Sequence, residues 1–160
     1  MARAEFEHSI EIAVPRATLH AFLCDLDNYV PLHPLIESIR RLEASPDRPR
    51  AKRYRVIDRI PIGPFRMKSV YTAALDPVSA NEVHGLAWQA PGIHLHTTYQ
   101  LEPDGDGSLL REHVRVEAPW PLLRFVVGQA SRSHRTTLQK MKALLEAHAP
   151  ARSQQPVGAG

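Results

Sequence analysis

The sequence predicts an α+β domain, a curved antiparallel sheet of about seven strands wrapped around one long C-terminal helix, with two short helices after the first strand. Three observations predict it. Strand-like alternation opens the chain and returns in six further segments bounded by turn residues. The turns between those segments are short, so successive strands must be antiparallel neighbours. A single apolar stripe at helical spacing then runs from about Leu122 to His148.

Ala4 to Val14 is the first strand. Phe6, His8, Ile10, Ile12 and Val14 share one face, and Glu5, Glu7, Ser9 and Glu11 the other. Pro15 opens a helix, where its missing N–H costs little. Leu19, Phe22, Leu23 and Leu26 give that helix its stripe, which Pro31 and Pro34 force to stop near Asp27-Asn28. Tyr29 to Ile36 reads as a short second helix or a tight turn. The remaining strands are expected at Ser38 to Ala44, Lys52 to Ile60, Phe65 to Leu75, Glu82 to Ala90, Ile93 to Glu102 and Leu109 to Ala118. On the long helix, Leu123, Val126, Val127, Ala130, Leu138, Met141 and Leu145 form the buried side. Residues 1–149 form the domain, and 150–160 read as a loose tail.

Composition excludes several classes. At 160 residues, 43% hydrophobic and 23% charged, the chain suits one globular domain. No apolar run is long enough to span a bilayer, and the N-terminus lacks the apolar core of a signal peptide, so a cytoplasmic protein is expected. The single cysteine, Cys24, reads as a half-buried thiol. The net charge of +3 is concentrated in Arg48, Arg50, Lys52, Arg53 and Arg55. That stretch offers at most a weak contact with anionic membrane, and mainly a solvated hairpin. No phosphate-binding loop, zinc spacing or nucleic-acid signature is present, so no nucleic acid partner and no cofactor is expected.

The element order resembles the helix-grip fold of the START-like superfamily, also called Bet v 1-like or SRPBCC. Locally, EIAVPRATLHAFLCDLDNYVPLHPLIESI, YRVIDRIPIGPF and LLREHVRVEAP look like bacterial polyketide cyclase/dehydrase-like members. The resemblance covers Phe6 to His148. It implies an internal cavity between sheet and helix, shared by lipid carriers, quinone-binding proteins, aromatase/cyclases and plant hormone binders. It implies no common catalytic motif.

Turn chemistry places candidate residues in that cavity. If Asp104 to Gly107 makes Glu102 face Leu109, then Tyr99 opposes Glu112 and both strands turn their apolar sides the same way. A two-residue Pro91-Gly92 loop would pair Trp88 with Leu95 and His84 with Tyr99, giving an inward row of His84, Tyr99 and Glu112. Ala130 and His134 face the sheet from the helix. Tyr54 and Asp58 point inward opposite the outward arginines of their strand, and Met67 and Tyr71 follow on the next. His33 rims the cavity. Ala73, Ala74, Gly85 and Ala87 keep it open. Glu112, His134 and Asp58 are the candidate acid–base groups if the protein is a cyclase or dehydratase acting on a polyketide-like substrate. The binding reading needs the same residues only to orient a hydrophobic ligand, such as a lipid, polyketide or quinone. His94, His96 and His113 fall on the outer face, and no metal is expected there.

Overall fold

The computed structural model describes residues 1–149; the tail expected at 150–160 lies outside the described residues. Seven strands form one antiparallel sheet: β1 (Ala2–Ile12), β2 (Ile36–Leu42), β3 (Lys52–Ile62), β4 (Phe65–Ser79), β5 (Glu82–Gln89), β6 (Ile93–Asp104) and β7 (Gly107–Ala118). Their order in space is β1-β7-β6-β5-β4-β3-β2, so β2 through β7 form a meander and β1 closes on β7. Helix α1 (Arg16–Leu23) follows β1, and α2 (Leu123–His148) ends the domain. The second short helix is a single 3-10 turn at Leu26–Asn28, capped where the Asp25 carboxylate accepts from the Asp27 N–H; Tyr29 to Leu35 continues as turns.

Alternation sets which wall each strand shows. Along β7, Ser108, Leu110, Glu112, Val114, Val116 and Ala118 are buried, and Arg111 and Arg115 are exposed between them. The β1–β7 register opposes Phe6 to Val114 and His8 to Glu112, which aligns the two inner rows. Helix α2 packs across β1 and β7 through Ala130, Ser133, Thr137, Leu138 and Met141. The core gathers at the other end of the helix, where Leu19 and Leu23 of α1 meet Ile12, Leu110, Leu138 and Met141.

Strand β4 is longer than expected. Pro77 does not end it but pairs with Val83, and a register shift between Pro77 and Ser79 absorbs the missing N–H. The β7 start is also constrained. A Cβ added to Gly107 would come within 2.8 Å of the Ile12 carbonyl oxygen, so only glycine allows β1 to leave the sheet at that point.

Candidate ligand-binding site

Between the concave side of the sheet and α2 lies a chamber of about 620 Å3 with mainly apolar walls. The volume exists because the sheet carries minimal side chains where it faces the helix, Ala73, Gly85 and Ala87, met by Ala130; Ala74, expected beside them, pairs with Leu86 and so belongs to the other face of the strand. A Cβ on Gly85 would touch Thr97, Leu75 and Tyr99 only at ordinary van der Waals distances, so its backbone does not demand glycine. Space is what the residue contributes. Ile62 and Met67 of the β3–β4 hairpin and Leu122 and Phe125 at the start of α2 line the chamber and are exposed to solvent, which marks its mouth.

The Asp104 to Gly107 turn sets the expected register, with Tyr99 opposite Glu112 and Thr97 opposite Val114. Glu112 therefore points inward, and its side chain is 1% exposed. His134, one helical turn beyond Ala130, reaches it from α2 with Nδ1 2.7 Å from Oε1. Burial works against a charged His134, but the carboxylate's charge and hydrogen bond outweigh it and hold the imidazole above its ordinary pKa. Oε2 of Glu112 is buried and has no hydrogen-bond partner among the described residues. A buried carboxylate oxygen left unpaired costs on the order of 1–3 kcal/mol or more, and the Tyr99 hydroxyl, directly opposite Glu112, is a donor that interacts with this carboxylate.

Two aromatic edges fix the imidazole, Phe6 at 5.7 Å and His33 at 6.2 Å between ring centroids. Burial, then the neighbouring His134, pushes the His33 pKa down to about 3, so His33 is neutral. Tyr99 and Tyr29 complete this end. Burial holds both phenols well above their ordinary pKa, so both remain protonated. The Tyr29 hydroxyl donates to the Leu23 carbonyl at 2.8 Å.

A second polar station lies on the β3–β4 wall. Asp58 is buried, and its Oδ1 accepts from the Tyr71 hydroxyl at 3.4 Å. Burial raises its pKa to about 6 against the lowering effect of that hydrogen bond. Met67, Tyr71 and Asp58 all line the chamber.

Three expected cavity residues fall elsewhere. The β5–β6 turn contains three residues, Ala90, Pro91 and Gly92, because Gln89 pairs with Ile93. That slip of one residue turns His84 and Trp88 outward, with His84 opposite Thr98 and Trp88 opposite His94. Trp88 is 40% exposed, and His84 contacts Glu82 and His96 on the outer face. The inward places go to Val83, Gly85, Ala87 and Gln89. Tyr54 is buried as expected, but it belongs to the core: its hydroxyl bonds to Asp25 and the Leu26 N–H, away from the chamber.

Other sequence features lie outside the chamber. His94, His96 and His113 share the outer face with His84, and no group of three or more metal-ligating side chains occurs among the described residues. In the basic stretch, Arg48, Arg50 and Arg55 are exposed, Lys52 pairs with Asp25 at 3.5 Å, and Arg53 donates to the Glu43 carbonyl. Cys24 is half-buried, and burial raises its thiol pKa.

Several lining residues escaped sequence reasoning. Gln89 bonds to Ser69 and was hidden by the slipped register. Ser133 and Thr137 follow Ala130 at helical spacing, a legible signal, but their hydroxyls are used on carbonyls of their own helix. No periodicity marks Tyr29, which lies in a turn segment.

Chemically, a carboxylate with one oxygen on an imidazole and the other open can accept a hydrogen bond from a ligand. It can equally take a proton from a carbon beside a carbonyl. The walls around it exclude charge and favour an apolar molecule.

Solved structures share this architecture. The protein TTHA0849 from Thermus thermophilus is 15% identical, with a TM-score of 0.73 over 92% of this chain and 100% of that one. A START superfamily protein from Mycobacterium smegmatis is 19% identical, with a TM-score of 0.67 over 88% of this chain and 98% of that one. The Zhui aromatase/cyclase from Streptomyces sp. R1128 is 16% identical, with a TM-score of 0.67 over 92% and 98%. At such identities the likeness establishes the fold alone. No curated protein matches the sequence. The profile of one sequence family matches residues 3–146, nearly the whole described domain, and the chain belongs to that family, polyketide cyclase / dehydrase and lipid transport.

Proposed function

We propose that the protein binds a hydrophobic small molecule, of lipid, polyketide or quinone-like character, inside the chamber between sheet and α2. One observation carries this reading: a chamber of about 620 Å3 lined by alanine and glycine where a filled core would place larger side chains. That volume falls within the range of small-molecule sites, roughly 300–1,000 Å3. The family and the fold of the solved relatives support it. Glu112 and His134 serve as the polar anchor, and Asp58 and Tyr71 as a second polar contact.

Native mass spectrometry of freshly purified protein tests the reading. A mass excess that organic extraction removes, or saturable uptake of an apolar dye by the stripped protein, is the expected result. Protein that carries nothing and takes up no apolar probe would refute it.

A second reading keeps the same chamber and adds acid–base catalysis on a polyketide-like substrate. The favouring observation is the unpartnered Oε2 of Glu112 beside a histidine held above its ordinary pKa. The two readings separate in one variant. Glu112→Gln loses turnover while ligand affinity stays within about tenfold if the protein is an enzyme.

A further inference from the structure

The hydrogen-bonding roles inside the chamber are not interchangeable, and they specify one end of the ligand. The Leu35 N–H donates to Nδ1 of His33 at 3.3 Å. That ring nitrogen must therefore be the acceptor, and in a neutral imidazole the proton then resides on Nε2. His134 uses Nδ1 to donate to Glu112 Oε1. Glu112 Oε2 is left as a buried acceptor without a donor among the described residues. All three residues line the same chamber, and the two imidazoles stand edge to face.

The chamber thus presents one charged acceptor, an N–H donor and, opposite Glu112, the Tyr99 hydroxyl, which can donate or accept. A ligand carbonyl or ether oxygen would accept from His33 but bring Oε2 no proton of its own. A ligand carboxylate would bring a second negative charge beside Glu112. An ammonium group would satisfy Oε2 but offer no lone pair to His33. A hydroxyl group carries one proton and two lone pairs and answers both. The geometry points to a neutral, hydroxyl-bearing apolar molecule, an alcohol, phenol or enol, whose hydroxyl donates to Glu112 Oε2 and accepts from His33 Nε2. This rests on the cavity-binding reading above and narrows its ligand class.

Calorimetric titration at pH 7 with three probes of one shape tests it: 2-naphthol, 2-methoxynaphthalene and 2-naphthoate. The expected result is that 2-naphthol binds at least about tenfold more tightly than its methyl ether, since a charge-assisted hydrogen bond is among the stronger kind. Naphthoate binds more weakly than both. Glu112→Gln brings naphthol and ether to within about threefold of each other. His33→Phe is the second variant, lying outside the ion pair, and it lowers the affinity of naphthol and ether alike, since both oxygens accept from Nε2, while the preference for naphthol remains. Melting curves by circular dichroism confirm that each variant is folded. Equal binding of naphthol and ether by the native protein overturns the hydroxyl assignment and leaves the cavity reading standing. Tighter binding of naphthoate does the same. Binding of no apolar probe at all removes both readings.

Discussion

At the scale of single residues, the Glu112–His134 pair dominates. Each partner is tolerable inside only because of the other: the carboxylate is 1% exposed and the imidazole 16%. His134→Ala strips the carboxylate of its neighbour and is expected to destabilise the fold by about 3–5 kcal/mol. Glu112→Leu combined with His134→Leu removes both charges and is expected to cost far less than that single change. Urea denaturation of both variants at pH 7 measures the contrast. Equal losses would mean that the pair is not an interdependent unit.

Asp58 obeys the opposite logic. Its pKa rises from an ordinary 3.8 to about 6 on folding, because burial penalises its charge. Between these values the folded state holds the proton more often than the unfolded one. Stability therefore falls as pH rises from about 4 to about 6, and the cost persists above that. Asp58→Asn removes the penalty. It is expected to stabilise the protein at pH 7.5 by on the order of 1–2 kcal/mol, and to have little effect at pH 4. Denaturation midpoints at the two pH values report the difference, and a variant destabilised equally at both would contradict it.

At the scale of elements, the length of the β5–β6 turn decides the character of a whole wall. Counting two turn residues directs Trp88, Leu86 and His84 inward; the actual three direct Ala87, Gly85 and Val83 there instead. The error has a physical source. Both faces of β5 carry apolar residues, so alternation could not arbitrate, and the turn alone had to. The β6–β7 turn succeeded because Val114, Val116 and Leu110 alternate with Arg111, His113 and Arg115, so pattern and turn agreed. The two sides of β5 are expected to respond differently to mutation. Ala87→Phe fills the chamber and should reduce uptake of an apolar dye at least about tenfold, while Trp88→Ala, on the outer wall, should leave it unchanged. Fluorescence titration of the two purified variants checks this, and loss of uptake in Trp88→Ala would be incompatible with the register.

At the scale of the molecule, the architecture was readable from the sequence because strand alternation, turn residues and one long helical stripe all agreed. Inward-facing positions were readable wherever a residue sat on an element of clear periodicity: Glu112, Tyr99, Asp58, Tyr71, Ala130 and His134 all line the chamber. Tyr54 shows where this approach stops. Facing inward does not distinguish core from cavity, and only the packing of Leu26 and Asp25 against its hydroxyl assigns it to the core.

The entrance beside Phe125 and the imidazole of His134 belong to the same helix, nine residues apart. At about 1.5 Å per residue that is a depth of about 13 Å. Under the proposed reading, a guest whose polar group reaches Glu112 enters with that group leading and its greasy end trailing toward solvent. On that reading, selection falls on the leading group and less on the length of the trailing portion.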